Sequence, residues 1–132
     1  MTLDSDKSLF NQYSTQFLRG MSERMRQSCS SSQLNAFLTD RFAFFKEAIR
    51  RSGMVRVRKH KITKVSLTEK NHNSCLIVEI VSPDAPFIVV TVEALMRQLD
   101  FLIDCKLHPI IGVELTEDKE VEKVFLPQQD LE

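Results

Sequence analysis

Residues 74–115 read SCLIVEIVSPDAPFIVVTVEALMRQLDFLIDCKLHPIIGVEL, and the hydrophobic period changes along them. Leu76, Val78 and Ile80 alternate with Ile77, Glu79 and Val81, the period-two pattern of a strand, in a run rich in β-branched residues. Ser82-Pro83-Asp84-Ala85-Pro86 stops that run, since each proline removes a backbone donor and biases the residue before it away from helical geometry. Ile88, Val92, Leu95, Leu99 and then Leu102 follow at spacings of four, three, four and three, which is one face of a helix, with Glu93, Arg97 and Asp100 off that stripe. The period then returns to two. Ile103, Cys105, Leu107, Ile111, Val113 and Leu115 fall on one face of a second strand, and Pro109 predicts an edge position or a bulge within it. A strand, a covering helix and another strand make a split β-α-β unit. The helix stripe is expected to bury against the face that presents Leu76, Val78 and Ile80.

Before this unit the pattern is helical. Asp4, Ser5 or Asp6 can cap a first helix, in which Leu9, Phe10, Tyr13, Phe17, Met21 and Met25 recur mostly every four residues, with Gly20 as a weak point. Serines at 28 and 30–32 end it, and Ser31 or Ser32 can cap a second helix carrying Leu34, Phe37, Leu38, Phe42, Phe45 and Ile49. Gly53 closes that helix. Its aromatic stripe reads first as core, with a groove for a ligand or partner helix as the other reading. From Met54, Val55 and Val57 alternate with Arg56 and Arg58, with Ile62, Val65 and Leu67 in a more broken continuation. The polar turn from Glu69 to Ser74 predicts a hairpin into the central strand. After it, Thr116 to Glu120 is a turn, and Val121 to Leu126 a last strand stopped by Pro127 and paired antiparallel with the one before. Residues 1–53 are thus a helical segment and 54–132 an α+β region, expected to form one compact unit.

The chain has 132 residues, 42% hydrophobic and 27% charged, with 18 basic against 18 acidic side chains, so a core is affordable without disulfides and no global field calls for a polyanion. No apolar run approaches the ~20 residues of a membrane span. Cys29, Cys75 and Cys105 are odd in number and widely spaced, which predicts buried thiols in a reducing, cytoplasmic compartment. Gly20, Gly53 and Gly112 are the only glycines, which excludes a dinucleotide or phosphate-cradling glycine loop. His60, His72 and His108 lie on different elements without ligand spacing. No catalytic or metal site is expected. Arg50, Arg51, Arg56, Arg58, Lys59, Lys61 and Lys64 form a basic stretch, readable as a phosphate-tracking surface or, preferably, as a charge-guarded edge complementary to the acidic residues between Glu114 and Glu122.

Two motifs carry a resemblance. Glu79-Ile80-Val81-Ser82-Pro83-Asp84-Ala85-Pro86-Phe87-Ile88-Val89, followed at a distance by His108-Pro109-Ile110-Ile111, is similar to the N-terminal ACT-like region of the large bacterial NAD-specific glutamate dehydrogenases. Val55-Arg56-Val57, after a helix ending near Arg50-Arg51, resembles the strand that precedes the motif in that family. The resemblance implies an α+β fold in which the two N-terminal helices pack on a mostly antiparallel, ferredoxin-like and incomplete ACT sheet with one crossover helix. It implies that the chain is the N-terminal piece of a longer enzyme that oxidatively deaminates L-glutamate to 2-oxoglutarate with NAD, the cofactor and catalytic groups lying downstream. Asp84, Pro86, Phe87 and Thr91 stand at the loop where ACT domains receive an amino-acid effector, and His108 and Pro109 form a structural motif. Two positions depart. Val90-Thr91 replaces an Asp-Ser pair of the family, and Phe87 stands where the wider ACT pattern has glycine.

The expected role is regulation or assembly of such an enzyme, with the rest of the parent polypeptide and further copies as partners. A stand-alone amino-acid sensor and a basic-patch nucleic-acid binder are the alternatives. A sensor binds an amino acid at Ser82–Phe87; a nucleic-acid binder shows steep salt dependence through Arg50–Lys64; an assembly region self-associates.

Overall fold

A computed structural model describes residues 3–61, 74–103 and 106–127. In chain order they form α1 (Leu3–Arg19), α2 (Glu23–Gln27), α3 (Ser31–Arg50), β1 (Met54–Lys61), β2 (Ser74–Val81), α4 (Ile88–Gln98), β3 (Gly112–Leu115) and β4 (Val121–Phe125). The fold is α+β, with N-terminal helices on small, open antiparallel sheet structure and a later crossover helix, consistent with an ACT-like arrangement.

The core follows from the four-residue spacing in the two long helices. Leu9, Tyr13 and Phe17 of α1 meet Leu38, Phe42 and Phe45 of α3, and Val121 and Val124 of β4 close the cluster. The Tyr13 ring sits 5.0 Å from Phe42 and 4.9 Å from Phe45, centroid to centroid, and Phe17 meets Phe37 edge-on at 5.8 Å. Such tilted contacts match the quadrupoles of the rings and add to the apolar burial. Burial also drives the Tyr13 phenol pKa upward, so the hydroxyl stays neutral throughout the ordinary pH range. Gln12 fastens α1 to the last strand by accepting the Val124 backbone N–H at 2.9 Å. Gly112 is required at the start of β3, because the Phe125 ring fills the space that a Cβ would take.

The ends of α3 are well specified. Ser30 is its N-cap, with the Ser30 hydroxyl accepting from Gln33 N and the Gln33 side chain accepting from Ser30 N, a reciprocal capping box. The cap therefore falls just before the expected Ser31 or Ser32. At the other end Gly53 takes φ 127°, donates its N–H to Ala48 O, and turns the chain into β1.

β1 and β2 pair antiparallel from Met54↔Val81 to Lys61↔Ser74. β3 and β4 form the expected terminal hairpin, with a register irregularity between Glu114 and Leu115. Among the described residues these are two separate two-stranded sheets, not one continuous sheet. The expected long strand from Ile103 is reduced to Gly112–Leu115; Pro109 ends donor continuity, though Leu107, Ile111 and Val113 still pack on the core.

Several other expectations are corrected. The first helix breaks at Gly20, where the chain turns before Ser22 caps the short α2, and α1 begins at Leu3, so Asp4, Ser5 and Asp6 lie within it. Cys29 is exposed and not buried, because the serine-rich connection places it on the surface. Most consequentially, α4 buries no residue: Leu95 is 49% and Leu99 56% exposed, and Leu76, Val78 and Ile80 are exposed too. The aromatic stripe of the Phe-rich helix is core, as its first reading has it, packed against α1 and β4. Ile62, Val65, Leu67, Lys64 and His72 lie outside the described residues.

Candidate functional site

Register explains how the first hairpin is mounted. On one face it presents Arg56, Arg58, Ile77 and Glu79; on the other, Val55, Val57, Leu76, Val78 and Ile80. The charged face turns inward. Glu79 is buried and ion-paired with the buried Arg41 of α3. Arg56 reaches Glu79 at 2.5 Å and Asp40 at 2.8 Å, and Arg58 reaches them at 2.8 and 3.0 Å. The Arg41 guanidinium lies 4.6 Å from the Phe37 ring centroid and that of Arg56 4.4 Å from Phe44. Burial lowers the Arg41 pKa to about 10, helped by repulsion from Arg58 and Arg56, which still leaves it charged at neutral pH. At Asp40 partial burial opposes ionisation, but the Arg56 hydrogen bond and the three arginine charges outweigh it and hold the carboxyl below its usual range. This is an ionic joint between hairpin and helix. Much of the basic stretch is used here or in pairs with Glu47 and Glu120.

The loop after β2 is the second feature. It carries Pro83 and, in the turn just before the helix, Pro86; Phe87, the N-cap of α4, takes φ 69° in the left-handed region. A bulky residue adopts that conformation at a cost of about 1–3 kcal/mol, and glycine would adopt it freely. No side chain caps α4, so the first-turn N–H groups point outward as a helix start leaves them. A groove of about 320 Å³ opens there, lined by Ala85, Phe87, Ile88, Val89 and Val90 on one side and by Lys106 and His108 on the other. Lys106 is ion-paired with Glu93, whose pKa that hydrogen bond lowers, against an opposing effect of desolvation.

The loop residues singled out from the sequence separate here. Phe87 and His108 face one groove; Asp84, Pro86 and Thr91 are exposed outside its lining. Pro109 lies against Gly20 at the break between α1 and α2. Lys106 is the groove residue that sequence reading missed: it is brought opposite the loop only by the chain's return after α4, and no local pattern marks it. The ionic joint was missed for the same reason, although the pairing of Arg56 and Glu79 on opposite strands was a usable signal. Among the described residues no group of three or more His, Cys, Asp or Glu side chains is placed to hold a metal. No described helix is long and apolar enough to cross a membrane. Lys106 and His108 beside an uncapped helix start are donors that suit a carboxylate or similar anion, with Lys106 held by Glu93 in the empty groove; among the described residues lining it no nucleophile stands against a base.

The family model described as glutamate dehydrogenase, ACT1 domain, matches residues 13–132. This chain belongs to that family. The ACT1 domain is the N-terminal ACT-like domain of NAD-specific glutamate dehydrogenases, and membership gives the chain a non-catalytic regulatory or assembly role within that enzyme family. The match runs through both resembling motifs and through the Phe-rich helix. No curated protein and no solved structure matches the chain.

Proposed function

We propose that the ACT1 chain is the part of an NAD-specific glutamate dehydrogenase through which subunits are held together, and that it takes no part in converting L-glutamate to 2-oxoglutarate. The observation that carries this reading is the family match over residues 13–132 in a sequence without a dinucleotide-binding glycine loop. The apolar surface on the first hairpin and on α4 supports assembly. Partners on this reading are the rest of the parent polypeptide and further copies, and the compartment is the cytoplasm. The test is removal of this region from the complete enzyme: the expected result is retained glutamate-dependent NAD reduction by folded subunits, with altered subunit mass. Loss of chemistry with unchanged assembly would overturn the reading.

A second reading is favoured by the groove. Lys106 and His108 opposite the start of α4 suit the carboxylate of an amino-acid effector, with Phe87 supplying an apolar wall. Calorimetric titration of amino acids tests it. Binding that weakens in Lys106→Ala supports an effector site; heats that are the same in both proteins oppose it. The nucleic-acid alternative has less support, because Arg50, Arg51, Arg56 and Arg58 each pair with a carboxylate.

A further inference from the structure

The first hairpin is mounted with its polar face inward, and that has a consequence for the other face. Val55↔Ile80 and Val57↔Val78 are cross-strand pairs, and Leu76 extends the same surface beside Lys59. These five side chains are between 37% and 63% exposed. Turning the hairpin over to bury them would expose Glu79 and break its pair with Arg41 and the pairs of Arg56 and Arg58 with Asp40. α1, α3 and β4 are already committed to the aromatic core. The other uncommitted apolar element among the described residues is α4, whose stripe leaves Leu95 49% and the C-cap Leu99 56% exposed, with no buried residue in the helix.

We infer that a second copy of the chain covers this face, the apolar side of α4 from each copy lying on the outer face of the β1–β2 hairpin of the other. The inference deepens the assembly reading and rests on it. The arrangement is reciprocal: one twofold axis generates two equal helix-on-sheet contacts, so both open surfaces of both copies are closed at once. The hairpin face alone offers on the order of 400 Å² of apolar area, the scale of the largest patch on an ordinary monomer. That falls short of the roughly 800 Å² per partner that a stable interface buries. α4 and the exposed Phe87, Phe101 and Leu102 around it supply the remainder, so the two surfaces together reach a stable dimer where either alone does not. The contact has the chemistry of a domain interior, aliphatic helix on β-branched sheet, with Lys59 and Arg97 at its margins.

The test uses the full chain with Cys29, Cys75 and Cys105 replaced by serine. One preparation then carries Val78→Cys and a second, distinguishable by mass, carries Leu95→Cys. Mixing and mild oxidation are expected to give a covalent heterodimer, and light scattering of the unmodified chain to give twice the monomer mass. Val78→Lys is expected to raise the dimer dissociation constant at least about tenfold while leaving the far-UV circular dichroism unchanged, which keeps the proposal testable should the cysteine-free chain fold poorly. A monomer at high micromolar concentration overturns the proposal. So does a disulfide that forms only within a doubly substituted Val78→Cys/Leu95→Cys chain, since α4 would then fold onto its own hairpin. A dimer indifferent to Val78→Lys also overturns it. Catalytic turnover by the chain would instead sink the assembly reading and leave these masses unaffected.

Discussion

The two halves of this domain are held by different physics. Around Tyr13, Phe42 and Phe45, α1, α3 and β4 interlock through buried rings. The β1–β2 hairpin is fastened to α3 by the Glu79–Arg41, Arg56–Asp40 and Arg58–Asp40 pairs and leaves its aliphatic face in solvent. Apolar burial is non-directional and tolerates approximate geometry. A buried ion pair needs its partners in place and is destabilising when one is removed. The hairpin is thus oriented by charge, and its hydrophobic surface faces outward.

The largest loss of stability is expected in the core. Phe42→Ala should destabilise the chain by about 3–5 kcal/mol, read as a lower midpoint in urea. A loss below about 1 kcal/mol would mean that the aromatic half is not the stabilising one. Next comes the joint. Glu79→Ala leaves buried Arg41 beside Arg56 and Arg58 with Asp40 as its remaining carboxylate neighbour and should cost about 3 kcal/mol. Replacing Arg41 and Glu79 together by leucine should cost much less, and equal losses in both variants would deny the coupling. The joint also has a pH signature. Asp40 has a lowered pKa in the folded state, so its contribution is complete above the unfolded carboxyl value of about 3.9 and is lost as pH falls through the lower folded value. Stability measured from pH 6 downward should therefore fall less steeply at the acid end in Asp40→Asn than in the parent chain.

A smaller effect is expected at the cap. Ser30→Ala removes the hydroxyl that accepts Gln33 N and should cost about 1 kcal/mol in the same titration. The smallest belongs to α4. In the dilute, dissociated chain, where Leu95 is half exposed, Leu95→Ala should change stability by no more than about 0.5 kcal/mol. A loss of about 2–5 kcal/mol would show that α4 packs on its own sheet after all.

Much of the fold was legible because its signals are local. The four-residue spacing of Leu9, Tyr13 and Phe17 and the Phe-rich run from Phe37 to Phe45 specify helix faces whatever lies opposite. Gly53, at φ 127°, terminates α3 by backbone conformation alone. The alternation from Leu76 to Val81 likewise yields a strand with one apolar and one mixed face. The loop was legible too, as prolines and a motif, and the positive φ at Phe87 gives a physical meaning to the position where the wider pattern has glycine.

Which face turns inward was not a local matter. By pattern alone, Leu76, Val78 and Ile80 should be buried and Glu79 exposed; the structure reverses this because Arg41, on an element nearly 40 residues earlier, supplies a buried partner for the carboxylate. The approach of Lys106 and His108 to Phe87 depends in the same way on where the chain returns after α4. Sequence by itself determined the elements, their ends and the family motif, since these rest on propensity, spacing and backbone sterics. Only the tertiary structure decided which faces meet, because a charge or an apolar stripe has no fixed inside until its partner, distant in the chain or belonging to another copy, is in place.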